Sequence, residues 1–191
     1  MRVYQLKPIP ERFKASSLDL MTLAQQIGGP QHLTMLMRQP ATNEPLAPYW
    51  QGLTVADSWA EQSRTSTELP DVALWGRGCL ILNKKAFEVL GKALASEGEF
   101  LPLQVDGEAH FVFNCLSFCK EDMTLSERKY LNGIDDGLKT LFFDDADVQG
   151  RMVFKSEQVG VTLYATESFK QAVEGAGLEG LRFDTDLLDP F

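Results

Sequence analysis

Histidine and cysteine are scarce in this sequence, and their scarcity limits the chemistry that it can support. Among 191 residues there are two histidines, His32 and His110, and three cysteines, Cys79, Cys115 and Cys119. A structural zinc site needs four well-spaced ligands, and a serine or cysteine nucleophile usually needs a histidine beside it. The spacing provides neither arrangement, so we expect reduced structural thiols and no metal site. His110 lies in an alternating, strand-like segment and is expected to be partly exposed there.

The common signatures of nucleotide binding and hydrolysis are missing as well. The chain contains neither GxxxxGK[ST], nor GxGxxG, nor the GxSxG nucleophile elbow. The glycine-rich run at 75–78 precedes a strand-like segment rather than a helix. It therefore lacks the helix-terminal amides that hold phosphate, and we expect a bend there. The acidic stretch 144–155 lacks the alternating oxygen ligands and terminal glutamate of a calcium loop, and we expect a solvated acidic loop.

Long apolar runs are also absent. No segment approaches the roughly 18 apolar residues of a membrane-spanning helix. The opening MRVYQLKPIPERF lacks the apolar region and the small-residue cleavage site of a secretory signal. We therefore expect a cytoplasmic protein that does not enter a membrane.

Basic residues are outnumbered: 18 lysines and arginines against 27 aspartates and glutamates give a formal net charge of −9. Nucleic-acid-binding domains usually carry a basic patch, so nucleic acid is not an expected partner. An acidic surface attracts basic proteins and speeds their association, although the same charge would also serve solubility alone. The candidate partner interface combines an acidic loop with two tryptophans, a residue type that is favoured at interface hot spots but also packs in cores: Asp135, Asp136, Asp144, Asp145, Asp147, Trp59 and Trp75.

Apolar residues make up 44% of the sequence, which is enough for one domain spanning residues 1–191. Residues 1–70 are expected to contribute an N-terminal strand, a helix capped by Ser17, and long proline-punctuated connections over 31–70. Residues 71–191 are expected to form the core sheet with two helices.

Strong strand and hairpin signals begin after this point. The runs DVALW and CLILN have strand length, and EFLPLQV and EAHFVFNCL flank Asp106-Gly107, a type I′ hairpin signal. A two-residue turn would place Leu103 opposite His110 and leave both faces largely apolar, so the hairpin is expected to be covered on both sides. Pro102 donates no backbone hydrogen bond and therefore predicts a bulge or an unpaired position.

Two segments share one pattern. CLILNKKAFEVLGKALASEGEFLPL and VTLYATESFKQAVEGAGLEGLRF each have the order strand, polar residue, helix with an early phenylalanine, glycine, strand. The polar residue, Asn83 or Thr166, is expected to cap the helix. We also expect strands at 138–143 and 181–183, and a polar loop over 117–137. The predicted class is α+β: a mixed, largely antiparallel central sheet on which the two strand–helix–strand units pack their helices.

Several segments resemble a known bacterial family. They are MRVYQLKP, EPLAPYW, PDVALW, CLILNKKAFEVL, EFLPLQV and the closing VTLYATESFKQAVEGAGLEGLRF. Together they are similar to polymorphic-toxin immunity protein family eleven, formerly an uncharacterised-protein family. The similarity covers most of the chain in scattered patches, and the last patch is the most specific. Asn83 and Ala165-Thr166 stand where the family tends to have serine, a departure that keeps a helix cap.

The resemblance implies an immunity protein that binds and neutralises a cognate antibacterial toxin domain encoded by a neighbouring gene. It implies protein–protein inhibition, not enzymatic activity, and suggests no catalytic residue or cofactor. The alternative is an enzyme of unrecognised type, a hydrolase or modifying enzyme that acts on the toxin or on its damage. That alternative predicts a pocket with convergent polar groups and shifted pKa values.

Overall fold

A computed structural model describes residues 1–50, 53–76, 78–158 and 161–189. The strands are β1 (Val3–Pro8), β2 (Ala15–Ser16), β3 (Val55–Asp57), β4 (Trp59–Ala60), β5 (Val72–Trp75), β6 (Cys79–Asn83), β7 (Gly98–Val105), β8 (Glu108–Cys115), β9 (Phe118–Cys119), β10 (Arg128–Leu131), β11 (Ile134–Leu138), β12 (Val153–Ser156), β13 (Leu163–Thr166) and β14 (Leu181–Asp184). The helices are α1 (Leu20–Gln26), α2 (Leu33–Thr42), α3 (Ala47–Trp50), α4 (Lys84–Leu94), α5 (Asp145–Val148) and α6 (Glu167–Gly175), with a 3-10 turn at Pro30–His32. Within the described ranges, no helix is both long enough and apolar enough to cross a membrane.

Most strands belong to two five-stranded sheets, in the orders β3-β7-β8-β6-β5 and β14-β1-β13-β12-β9. Among their described pairs, β3–β7 and β9–β12 are parallel and the rest are antiparallel. The α+β class and the largely antiparallel pairing are confirmed. The strands, however, are divided between two sheets rather than joined in one central sheet.

Each large sheet contains one copy of the same strand–helix–strand unit. In the first sheet β6 leads through α4 to β7, and β8 fills the gap between them by pairing antiparallel with both. In the second sheet β13 leads through α6 to β14, and β1 fills the equivalent gap. The sequence similarity of the two segments therefore reflects equivalent units. β8 directly follows its unit in the chain, whereas β1 comes from the start of the sequence, so local sequence patterns do not show that the two units lie in separate sheets.

The β7–β8 hairpin has the predicted register. Asp106 and Gly107 adopt positive φ angles of 50° and 84°, as a two-residue type I′ turn requires. The expected Leu103–His110 pair forms, and the same register pairs Val105 with Glu108 and Phe100 with Phe113. Pro102 pairs with Phe111 in an uninterrupted register, so the predicted bulge or unpaired position is wrong. Its carbonyl accepts a hydrogen bond from Trp50 Nε1 (2.8 Å), which places its backbone polar groups on the side of the strand away from β8. Its missing N–H therefore costs no bond between β7 and β8.

Side chains that alternate along the central strands are buried in two different hydrophobic cores. Leu80 and Leu82 of β6 face a core shared by α4, α6 and the inner faces of both sheets. Cys79 and Ile81 face a second core on the outer side of the first sheet, which α1, α2 and Trp50 cover. The prediction that the hairpin is covered on both sides is confirmed in the same way, because neighbouring residues of β8 enter the two cores in turn.

Residues 31–70 contain more regular structure than their prolines predict. α2 continues through Pro40, and Asn43 follows it in the left-handed conformation with a φ of 54°. At the preceding helix, the predicted cap at Ser17 is wrong. The carboxylate of Asp19, directly before the first helical residue, accepts the hydrogen bond from the Thr22 backbone N (2.7 Å).

The strand predicted at 138–143 is wrong, and so is the polar loop predicted over 117–137. The strand pair β10–β11 lies within the predicted loop. Residues 139–144 are irregular apart from an isolated bridge at Phe143. Leu141 and Phe143 are buried while Phe142 is exposed. This alternation resembles a strand in sequence, although these residues serve only to fix an irregular segment to the fold.

The polar turn after β6 begins a helix. Asn83 Oδ1 accepts a hydrogen bond from the Ala86 backbone N (2.8 Å), and its Nδ2 donates to Asp71 Oδ1 (2.8 Å). Thr166 occupies the equivalent position before α6, but its hydroxyl donates to the Arg151 carbonyl (2.8 Å). The cap predicted at Asn83 is therefore confirmed, and the side-chain cap predicted at Thr166 is wrong.

We expect Asn83→Ala to lower the free energy of unfolding by about 1–2 kcal/mol, because it removes a helix cap and the hydrogen bond to Asp71. Asn83→Ser keeps a capping oxygen and should recover roughly half of that loss. Urea denaturation of the three proteins measures both effects. An Asn83→Ala midpoint equal to the wild-type value would contradict the assignment of this turn as a stabilising cap.

Candidate functional site

The segment 120–144, which we call the arm, leaves the second sheet and returns to it. Backbone hydrogen bonds join its outgoing and returning halves. The Asp122 backbone N donates to the Phe142 carbonyl (2.8 Å), and the Lys139 backbone N donates to the Glu127 carbonyl (2.7 Å). Beyond these bonds β10 and β11 continue the antiparallel pairing to the tip. The arm is thus a hydrogen-bonded element of its own.

Its base is fixed and its outer part is exposed. Leu141 and Phe143 lie in a third core, on the outer face of the second sheet, together with Cys119, Val148, Phe154 and Tyr164. All four residues of β10 are exposed, and so are those of β11 except Leu138, which is half-buried. The arm therefore projects from an apolar anchor into solvent.

A two-residue turn forms the tip. Asn132 and Gly133 have φ angles of 52° and 82°, the positive values of a type I′ turn, and Leu131 pairs with Ile134 across it. Asn-Gly is as strong a hairpin signal as the Asp-Gly pair that identifies β7–β8. The sequence therefore carries a local signal for this hairpin, although the charged residues beside it favour a loop.

Exposed apolar side chains are concentrated on the arm. Among the described residues twelve large apolar side chains are exposed, and six of these belong to the arm, although it is a small part of the 191-residue chain. The six are Met123, Leu125, Tyr130, Leu131, Ile134 and Phe142. Grouped exposed apolar residues mark interaction sites, whereas isolated ones are ordinary.

The charges near the tip are balanced within the hairpin. Asp135 forms an ion pair with Arg128, and Asp136 forms one with Lys129 (2.7 Å). A hydrogen bond from the Gly137 backbone N and the pairing with Arg128 together lower the pKa of Asp135. Two of the candidate acidic residues therefore do not give the hairpin a net negative charge, because each is matched by a cation on the opposite strand.

The other three candidate aspartates lie at the base of the arm, around α5. Asp144 accepts a hydrogen bond from the Ala146 backbone N (2.9 Å), and Asp147 accepts one from the Lys120 backbone N (2.8 Å). Asp145 pairs with the amino group of Met1. The five aspartates thus fall into two groups with different local roles, and substituting Asp144 or Asp147 would disturb the backbone as well as the surface charge.

The two candidate tryptophans are not brought to the arm. Trp75 is buried, and its Nε1 donates to the Leu18 carbonyl (2.8 Å), so it presents no surface to a partner. Trp59 is half-buried and packs edge-on against His110, with ring centroids 5.8 Å apart. Both pack with the core over the first sheet, whereas the arm is anchored on the second. His110 is buried beneath this layer, which corrects its predicted partial exposure.

A cleft of about 1030 Å³ lies beside the base of the arm. Residues 1–3 and 185–188 form its other walls, and Leu125 and Phe142 of the arm line it. Hydrogen bonds from the Thr124 hydroxyl and backbone N lower the pKa of Asp122, a carboxylate on this wall. That shift favours the ionised form, opposite to what a general acid at neutral pH needs.

Glu97 and Lys155 are buried charged residues away from the arm, and each joins separate elements. Glu97 accepts hydrogen bonds from the backbone N of Met152 and of Val153, each 2.7 Å, and burial raises its pKa. Lys155 donates to the Pro40 carbonyl (2.7 Å), and burial lowers its pKa. These pKa shifts accompany structural hydrogen bonds that link distant segments of the chain.

The thiols are free and buried, as expected for structural cysteines. Burial raises the pKa of Cys79 to about 12, of Cys115 to about 11 and of Cys119 to about 12. At neutral pH they are therefore protonated, and only a thiolate is strongly nucleophilic. Across the part of the chain that the structure describes, no group of three histidine, cysteine, aspartate or glutamate side chains converges as a metal-binding cluster.

No protein-family model matches this chain, and comparison with curated proteins gives no match. The resemblance to immunity family eleven therefore stays a prediction from the sequence.

Proposed function

We propose that this chain is a cytoplasmic immunity protein that neutralises a cognate antibacterial toxin domain by binding it, without catalysis, and that the arm is part of the contact surface. The toxin domain would be encoded by a neighbouring gene, as the resemblance implies. The observation that carries the proposal is the concentration of exposed apolar side chains on one projecting, hydrogen-bonded element.

The cost of exposing these side chains supports a role in binding. Each apolar side chain left in water forgoes roughly 1.5–3 kcal/mol that burial would provide. Leu131 and Ile134 face solvent at the tip, whereas Leu141 and Phe143 bury equivalent groups at the base of the same arm. Covering the exposed group with a partner would recover this free energy on association, which a stoichiometric inhibitor requires.

Co-expression with the toxin domain of the neighbouring gene tests the proposal. The wild-type chain should restore growth to cells that make the toxin, and a Leu131→Ser/Ile134→Ser double variant should lose that protection while accumulating to the wild-type level. Val89→Ser, which changes an exposed residue of α4 outside the arm, should protect fully. Failure of the wild-type chain to protect would refute the proposal.

The same assay addresses the enzyme alternative. Asp122→Asn and Asp186→Asn change carboxylates that line the cleft, and an enzyme using that cleft would lose protection through at least one of them. A stoichiometric binder that uses the arm should retain protection with both variants. Catalytic amounts of the chain that still protect against excess toxin would favour the enzyme.

A further inference from the structure

The strand edges of the arm are poorly suited to pairing with another strand. β10 and β11 contain four and five residues, and their register shifts between Arg128 and Tyr130. The Gly137 backbone N donates to Asp135 Oδ1 (3.0 Å), so a side chain of the same strand occupies one backbone donor of β11. Short strands, irregular register and edge charges are the features by which proteins prevent strand addition.

The side chains near the tip are available instead. Leu131 lies opposite Ile134, and Tyr130 lies opposite Asp135, so these two pairs point to opposite faces of the hairpin. The exposed fractions are 61% for Tyr130, 60% for Leu131 and 74% for Ile134. The tip therefore presents apolar groups on both faces and at its end, a shape that a flat partner surface would cover only on one side.

The charge of the hairpin limits the chemistry of the partner. Arg128 and Lys129 are matched by Asp135 and Asp136, so residues 128–136 carry no net formal charge although the whole chain carries −9. A strongly basic site on the partner would gain little from such a surface, and a strongly acidic one would gain equally little. The complementary surface is therefore apolar and close to neutral.

From these three observations we infer that the arm inserts tip first into a concave, apolar and nearly uncharged cleft of the toxin domain, with Tyr130, Leu131 and Ile134 as the contacts that determine affinity. The inference rests on the proposed function and adds the chemistry of the partner site. A two-stranded ribbon is about 5 Å across from strand to strand and about 10 Å thick with its side chains. If the arm fills a toxin cleft of these dimensions, no substrate can enter that cleft.

The test is the Kd between the full chain and the toxin domain of the neighbouring gene, inactivated by substitution so that it can be purified. Leu131→Ser/Ile134→Ser should weaken binding by about 100-fold or more, because truncation of central apolar contacts has the largest effects at interfaces. Lys129→Ala/Asp136→Ala removes one balanced ion pair and should change the Kd by less than about 3-fold. Thermal melting should show that both variants remain folded, since the substituted side chains are exposed.

The outcomes separate this inference from the proposed function. If the wild-type chain binds and the Leu131→Ser/Ile134→Ser variant binds equally well, insertion of the arm is overturned while the proposed function stands. A larger loss of affinity for Lys129→Ala/Asp136→Ala than for Leu131→Ser/Ile134→Ser would also overturn insertion into an apolar cleft, and would indicate a charged site on the toxin domain. If the wild-type chain does not bind, both fail. A wild-type dimer that the apolar variant dissociates would assign the arm to contact with a second copy and overturn insertion into the toxin.

Discussion

Replacing Gly180 by alanine is expected to lower the free energy of unfolding by about 3 kcal/mol or more. Gly180 has a φ of 124°, a conformation that residues with a side chain rarely adopt. An added Cβ would also lie 2.2 Å from the Val72 carbonyl oxygen and 2.6 Å from Pro70 Cβ. The substitution therefore combines backbone strain with a steric overlap that no change of rotamer can relieve.

The overlap at Gly180 is expected to be strongly destabilising because it lies where the two sheets are joined. Just before Gly180, the Glu179 carbonyl accepts hydrogen bonds from the backbone N of Asp71 (2.8 Å) and of Val72 (3.1 Å). These bonds join the start of β14 in the second sheet to the start of β5 in the first. Making room for a methyl group would separate the two sheets at this joint.

Gly177→Ala provides the matched control. Gly177 also has a positive φ, 58°, but no described atom outside its immediate neighbours lies within 4 Å of the Cβ that alanine would add. We expect a loss of about 1–2 kcal/mol from backbone strain alone. Urea denaturation of both variants separates strain from overlap, and equal losses would show that the close approach at Gly180 contributes nothing.

The elements that the sequence predicts correctly are those whose signals are local. Asp106-Gly107 determines a hairpin and its register because only neighbouring residues take part. Asn83 begins α4 for the same reason. The division into two sheets depends instead on β1 filling the gap between β13 and β14, more than 150 residues away along the chain. No periodicity within a segment encodes that pairing.

The arm was only partly predictable. Its tip has a local signal in Asn132-Gly133, but the charged residues beside it suggest a solvated loop until the structure pairs Arg128 with Asp135. Once those pairs form, what remains exposed is apolar. Counting acidic residues along the sequence selects Asp135 and Asp136 of the arm, but formal charge says nothing about which cation lies across the strand.

Lys155 is the second position at which a large effect is expected. It lies on β12, is 0% exposed, and its Nζ donates to the Pro40 carbonyl (2.7 Å) and to Asn43 Oδ1. It also lies over the Phe118 ring, with Nζ 4.8 Å from the ring centroid. The ammonium group thus bonds the C-terminal end of α2, where helix carbonyls lack internal partners and a positive charge is favoured.

Lys155→Ala is expected to lower the free energy of unfolding by about 3–4 kcal/mol, because it opens a cavity and leaves the acceptors of Pro40 and Asn43 without their donor. Lys155→Met restores most of the volume but not the donor, so a loss of about 2 kcal/mol is expected. Lys129→Ala, at an exposed lysine, should stay within about 0.5 kcal/mol of wild type. Equal losses for the alanine and methionine variants would mean that packing contributes nothing at this position.

The pH dependence of stability should distinguish the buried charge from the hydrogen bonds. Burial lowers the pKa of Lys155 below its usual 10.5, so the folded state releases this proton at a lower pH than the unfolded state does. The cost of burying the charge is therefore fully present below the folded-state pKa and disappears as pH rises from there to about 10.5. Wild-type protein should gain stability relative to Lys155→Met over that interval, as measured by urea midpoints at successive pH values. A constant difference would show that the ammonium group is as well stabilised inside the protein as in water.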